Sequence, residues 1–416
     1  MHSNEQIIAS RLLGGSARLQ CSQLGLSWSI GHFCYNFEHV LYVTQLILRH
    51  ILRNLMDYER LQSVLDHWQR FAPCLGVNLS ISYGADATSV WHGASGYADT
   101  EGRLMKPCQE GYIYSIGKTF TAVLVMKLVE AAELELDQPV QRYLHGLDFL
   151  PKMTVRQLLN HTSGIPNYTD WSDYPDSVRA SPSEPWGDEA FVERLKSHID
   201  SKGNDFLPGA SWNYSNTGYW ILKCLIEHVS GCSYADNINH RISQPLGLVR
   251  TRVAIGIQCD QICLGFSREL NTDQAMLSVN EYYHPDWCYT ALIVSTTEEV
   301  NSFYAQLFSG NVVSLQSLKE MCQFIDIGRS AGPHFVRPSY GLGLMIDSET
   351  THGGSIGHGG GGPGFSTWAV RYADFLGEPL GMTILCNTSM GGHPAFLVRD
   401  VLLCLGFSAT FDKRVV

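Results

Sequence analysis

The chain has 416 residues, 44% of them apolar and 17% charged. That is an ordinary globular balance over a length that suits two domains. A net charge of −11 without any run of basic residues sets nucleic acid aside, because phosphate binding needs clustered Lys and Arg.

Residues 1–56 read as an N-terminal extension outside the fold. Arg11 and Arg18 precede the stretch 24–43, which Ser27, His32, Asn36, Glu38 and His39 interrupt, so no secretory signal is recognisable. The apolar piece 40–48 is too short to span a bilayer, and no membrane segment is expected further on. Asp57 then suits an N-cap, and Leu61, Val64, Leu65 and Trp68 at helical spacing predict an amphipathic helix over 58–71. Val77, Leu79, Ile81 and Tyr83 alternate as in a half-buried strand, and a turn at 84–87 leads to a second strand near 88–95.

From Ser115 to 245 the pattern is mainly helical. Phe120, Val123, Leu124, Leu128 and Ala131 form one stripe, a short helix over 155–160 ends at His161-Thr162-Ser163-Gly164, and a helix over 217–229 stops at Gly231. The segment 166–190, rich in Pro, Asp, Ser and Trp, reads as a loop over a cleft. Strand alternation returns at Leu342, Leu344 and Ile346, followed by the glycine-rich 353–364, by Trp368, Val370 and Tyr372, and by 380–386. A helix over 394–405 closes the pattern. The expected fold is α/β, an antiparallel sheet flanked by helices, with an inserted all-helical domain. Residues 57–120 and 285–416 would form the α/β domain and 121–284 the helical one, with a ligand cleft between them.

Three short elements carry candidate chemistry. Ser115-Ile116-Gly117-Lys118 opens a helix, and residues three apart share a face, so the Lys118 amine can reach the Ser115 hydroxyl. A desolvated lysine of lowered pKa can take the serine proton. The alternative is a capping serine followed by a solvated lysine. A phosphate-binding loop is rejected, because the spacing from Gly111 to Gly117 is one residue too long. Tyr214-Ser215-Asn216 precedes the 217–229 helix. Tyr214 beside a lysine can act as a phenolate base or proton shuttle, and Asn216 offers both a donor and an acceptor. The competing reading has Asn216 capping the helix. The third element runs from His358 through Gly359, Gly360, Gly361 and Gly362, where glycines on a strand leave N–H groups free as oxyanion donors. Gly353-x-Ser355-x-Gly357 also fits a nucleophile elbow literally, but no helix pattern follows it, so Ser355 is taken as a coincidence.

In this order and spacing the three elements resemble the serine β-lactamase and D-Ala-D-Ala peptidase superfamily, in its class C β-lactamase-related branch of esterases and D-aminopeptidases. The resemblance extends to Thr154-Val-Arg-Gln-Leu-Leu-Asn-His-Thr-Ser-Gly164, Pro245-Leu-Gly-Leu248, Tyr340-Gly-Leu-Gly343 and Gly357 to Phe365. It implies Ser115 as acylated nucleophile, with Lys118 and Tyr214 as general base and acid. It further implies an oxyanion hole at the N–H groups of Ser115 and Gly361, with Asn216, His358, Gly359 and Gly360 binding substrate. His358 stands where β-lactamases of this type carry lysine, which shifts the expectation from β-lactams towards D-peptides or small carboxylic esters. Trp287 and Tyr289, near the departure Tyr289-Thr-Ala291, suggest an unusually aromatic pocket. A non-catalytic penicillin-binding sensor is the reading from another class.

The expected partner is a small-molecule or peptide substrate. No metal or cofactor is expected, since the twelve cysteines are scattered and none forms a C-x-x-C pair. Their scatter leans towards a reducing compartment, whereas the resemblance implies a periplasmic or secreted enzyme. Compartment and oligomeric state stay open.

Overall fold

The computed structural model describes residues 57–72, 74–85, 88–257, 262–270, 276–328, 335–350, 354–389 and 393–406. The expected extension 1–56 lies outside them. Helix α1 (Tyr58–Phe71) begins where Asp57 accepts a hydrogen bond from the Arg60 N–H, and its buried face is Leu61, Leu65 and Trp68. That stripe, together with α6 (Ala395–Cys404), covers one face of the main sheet.

The sheet has eight strands: β1 (Gly76–Tyr83), β2 (Thr88–Gly96), β3 (Ile325–Asp326), β4 (Pro338–Tyr340), β5 (Met345–Asp347), β6 (Ser355–Gly362), β7 (Phe365–Phe375) and β8 (Glu378–Cys386). Their order is β2-β1-β8-β7-β6-β5-β4-β3, and every neighbouring pair is antiparallel. The first and last strands therefore pair next to the β2 edge of the sheet, where Val77 pairs with Cys386 and Tyr83 with Leu380. The expectation that β1 is half buried needs correction. Asn78, Ser80 and Ser82 are buried as well as Val77, Leu79 and Ile81, because helix α5 (Thr297–Phe308) packs on that side. Asn301 of α5 donates to the Ser80 carbonyl and accepts from Thr383, which satisfies polar groups that burial would otherwise leave unpaired.

Helix α2 (Gly117–Glu130) follows the nucleophile segment. The sequence suggests one apolar stripe, but the helix is enclosed on nearly all sides from Gly117 to Met126. A helix buried all round needs partners for its polar residues. Thr119 pairs with the Tyr304 hydroxyl and donates to the Gly343 carbonyl, and Thr121 pairs with the Tyr234 hydroxyl. Helix α3 (Val155–Leu159) starts with a full capping box between Thr154 and Gln157. Helix α4 (Asn216–Ser230) ends at Gly231, whose φ of 67° gives the left-handed cap expected there.

Two local expectations change. Within 166–190 lies a helix, Tyr174–Ala180, entered with Pro175 in its first turn, so this stretch is not wholly loop. Ser355 is the first residue of β6 and largely buried, so the strand–turn–helix geometry of a nucleophile elbow is absent there. Among the described residues no helix is long and apolar enough to cross a membrane.

Candidate active site

The segment leading to Ser115 is held from three sides. Gly111–Tyr112 pairs with Ile293–Ser295 in a three-stranded sheet completed by Arg252–Val253, and the Ile113 N–H donates to the Ile293 carbonyl. The Ile113 carbonyl accepts from the Thr367 hydroxyl of β7 at 3.1 Å. Tyr114 sits at φ 45°, a left-handed backbone uncommon for a bulky residue, and its hydroxyl donates to the Pro363 carbonyl. That turn sets Ser115 in a single 3₁₀ turn, Tyr114–Ile116, immediately before α2.

Lys118, one turn on, lies with Nζ 3.1 Å from Ser115 Oγ and 2.6 Å from Asn216 Oδ1. Its side chain is almost wholly buried, and burial alone brings its pKa down from the ordinary lysine value to about 7. Among the described residues no carboxylate pairs with it. Instead Nζ lies over the rings of Tyr214, 4.8 Å from the centroid, and Tyr219, at 5.2 Å. A lysine so placed is close to half deprotonated at neutral pH, which suits a general base.

Asn216 can reach Lys118 because it does not cap α4. The Ser215 hydroxyl does, accepting from the Gly218 N–H. Burial drives the pKa of the Tyr214 hydroxyl well up. That direction favours the neutral phenol over the phenolate suggested by the sequence and leaves Tyr214 the role of proton shuttle.

His358 is fully enclosed. Its Nδ1–H donates to the Gly359 carbonyl at 2.6 Å, so Nε2 is an acceptor and receives the Tyr340 hydroxyl hydrogen at 2.8 Å. Burial and the nearby Lys118 push its pKa down to about 3. His358 is neutral and stands behind the cavity wall.

Ser115, Tyr214, Tyr340 and the run Gly359 to Gly361 line a cavity of about 540 Å³. Its aromatic walls come from Trp212, Phe335, Trp368 and His393. Trp287 and Tyr289, which the sequence suggested for this role, lie elsewhere: Trp287 is buried against Tyr174 and Trp186, and Tyr289 against Tyr168 and Phe191. No Asp, Glu, Lys or Arg is among the described lining residues. At Gly360 a Cβ would stand 2.2 Å from the Ile113 carbonyl oxygen, so only glycine lets β6 approach the Ser115 segment. At Gly361 a Cβ would meet nothing within 4 Å and would point into open space.

Sequence reasoning missed Tyr340, His161 and the aromatic walls. Tyr340 and His161 lie inside quoted motifs, which was the available signal. His161 Nδ1 accepts from the Ser215 N–H, and its ring stands 4.3 Å from Tyr214, 4.7 Å from Tyr340 and 5.2 Å from Tyr219, centroid to centroid.

The model of the β-lactamase family matches residues 69–403. The chain belongs to that family. Penicillin-binding protein 4* of Bacillus subtilis is 30% identical over 298 residues, which cover 68% of this chain and 63% of that protein. D-aminopeptidase of Brucella anthropi is 27% identical over 79% of this chain and 59% of its own length. The chain thus spans about six-tenths of these two relatives. The crystal structure of a D-stereospecific amidohydrolase from Streptomyces sp. has a TM-score of 0.69 and 27% identity, covering 82% of this chain and 98% of that one. The sheet with flanking helices is accordingly the β-lactamase and transpeptidase fold.

Proposed function

We propose that this family member is a serine hydrolase that works through an acyl-enzyme on carboxylic esters or amides, D-amino-acid amides among them. The observation that carries the reading is Lys118, buried without a carboxylate and 3.1 Å from Ser115 Oγ. In its neutral form Lys118 accepts the Ser115 proton as Oγ bonds to the substrate carbonyl carbon. The N–H groups of Ser115 and Gly361 receive the developing oxyanion. The Tyr214 hydroxyl passes a proton towards the departing alcohol or amine as its bond to the carbonyl breaks, and draws on Lys118 for replacement. Water then attacks the ester carbonyl and gives a proton to Lys118, which passes it to Ser115 Oγ as the bond to the acyl carbon breaks and the carboxylic acid leaves. Asn216 holds Lys118 through Oδ1, which leaves Nδ2 to donate to a substrate carbonyl.

The D-aminopeptidase and D-stereospecific amidohydrolase relatives support amide chemistry at such a site. The uncharged, aromatic lining offers no cation to a free carboxylate beside the scissile bond. A β-lactam or D-Ala-D-Ala peptide brings a carboxylate there. His358, neutral and enclosed, offers it no charge, so class C-type β-lactam hydrolysis is disfavoured.

The test sets a p-nitrophenyl ester, D-alanine p-nitroanilide and a chromogenic cephalosporin against wild type and Ser115→Ala. Expected is turnover of the ester or D-amide that the substitution abolishes, with little cephalosporin cleavage. Rapid cephalosporin hydrolysis overturns the substrate reading. Activity that survives Ser115→Ala overturns the nucleophile. A stable covalent adduct without turnover makes the protein a sensor.

A further inference from the structure

Away from Ser115, three side chains with metal-binding atoms converge from three elements. They are His92 on β2, Cys108 in the loop before Gly111–Tyr112, and Glu298 in the first turn of α5. One ring nitrogen, the thiol sulfur and a carboxylate oxygen all lie within 4.8 Å of one another. Cys108 Sγ is 3.2 Å from His92 Nδ1, and His92 Nε2 is 3.7 Å from Glu298 Oε1. Tetrahedral zinc with one S, one N and one O ligand, at about 2.3, 2.0 and 2.0 Å, requires ligand atoms roughly 3.3–3.6 Å apart. The Glu298 contact is to Nε2 rather than Nδ1, so the carboxylate must swing past the ring edge for one nitrogen, the thiol and one carboxylate oxygen, which lie within 4.8 Å of one another, to meet on a single ion.

The surroundings support that reading. Cys108 holds a left-handed backbone, φ 55°, which is unusual for cysteine, and the Arg250 guanidinium donates to its carbonyl at 3.3 Å. The Ser80 hydroxyl reaches His92 Nδ1 at 2.8 Å, Cys108 Sγ at 3.8 Å and the Thr297 hydroxyl at 2.6 Å. It can thus orient the first two groups or bridge to them. The thiol is half-buried and the imidazole and carboxylate lie towards solvent, so water can complete the coordination.

A hydrogen-bonded thiol and imidazole could instead make a second nucleophile. Such a pair would leave Glu298 without a role, whereas a cation uses all three groups. The Glu298 carboxylate beside the ring favours a cation, which would hold the sulfur as thiolate.

We infer that His92 Nδ1, Cys108 Sγ and the Glu298 carboxylate form a binding site for one borderline-soft divalent transition metal, zinc being the best fit. The ion fastens the loop that leads into the Ser115 segment to the N-terminal turn of α5. The absence of a C-x-x-C pair hid this set, because its ligands are distant in sequence and meet only through the β1–β2 hairpin and α5.

The full-length protein is stripped with a chelator, then titrated with Co²⁺ and separately with Zn²⁺. Expected are a thiolate-to-cobalt charge-transfer band that saturates at one equivalent and a Tm raised by about 3 °C in excess Zn²⁺. Cys108→Ser should abolish the band, and Glu298→Gln should weaken Zn²⁺ binding at least 10-fold while the metal-free Tm stays near wild type. Glu298 is half exposed, so that variant keeps the test valid should Cys108→Ser fold poorly. Cys232→Ser, which removes an exposed thiol, should leave the band intact. A missing band, a band that survives Cys108→Ser, or Zn²⁺ affinity unchanged in Glu298→Gln overturns the site.

Discussion

Tyr340 donates its hydroxyl hydrogen to His358 Nε2, and this bond determines what His358 contributes. With Nδ1–H committed to the Gly359 carbonyl, the ring has no proton to offer the cavity and no charge near neutral pH. Tyr340→Phe would keep the ring that lines the cavity but strand a buried acceptor. A loss of about 1–3 kcal/mol in unfolding free energy is expected, measurable by denaturant titration.

His358→Lys should not install β-lactamase activity. The new ammonium would stand in an enclosed site near Lys118, where desolvation and like charge both oppose it. A lower Tm and no gain in cephalosporin turnover are the expected outcomes. A large gain would restore the β-lactamase reading.

The acidic limb of the pH profile should come from Lys118. Below about 7 its amine is protonated and cannot accept from Ser115, so kcat/KM for a p-nitrophenyl ester falls as pH drops through that value and levels above it. His358 adds no limb in this range. Lys118→Ala should cost roughly 10³-fold in kcat. Lys118→Arg should not rescue it, because a guanidinium keeps its proton.

Two neighbouring glycines should respond differently to alanine. Gly360→Ala forces a methyl against the Ile113 carbonyl and the Thr367 hydroxyl, so both Tm and activity should fall. Gly361→Ala meets no protein atom and should melt like wild type. Its methyl enters substrate space, so KM or kcat should change. Thermal melts alongside steady-state kinetics separate the two.

Ala291 occupies φ 64°, a conformation that costs a non-glycine residue about 1–2 kcal/mol. Ala291→Gly relieves that strain, partly offset by greater chain freedom in the unfolded state. A stability change between zero and a gain of about 1 kcal/mol is expected from denaturant titration, with kinetics unaltered.

Local patterns carried much of this architecture. The strand at Val77–Tyr83, the cap at Asp57 and the stop at Gly231 each depend on nearby residues, and each is found in the structure. The spacing of Ser115 and Lys118 within a helical turn was legible for the same reason. The state of Tyr214 was not, because burial by distant segments sets its pKa. The cavity walls were equally hidden: Trp212, Phe335, Trp368 and His393 come from separate segments without any shared period. The helix buried on all sides, α2, shows the same limit, since the hydroxyl partners of its Thr119 and Thr121, Tyr304 and Tyr234, come from distant segments.

The uncharged cavity also bears on how the protein meets its medium. Salt shortens the Debye length from about 30 Å at 0.01 M to about 8 Å at physiological strength, but it screens only interactions between charges. A neutral ester drawn into walls of tryptophan, phenylalanine and glycine has none to screen. Its capture should be indifferent to ionic strength, even though the molecule as a whole carries −11. Anionic substrates would instead meet that overall charge as a repulsion that added salt relaxes. Ionic strength thereby becomes a filter on which molecules reach Ser115.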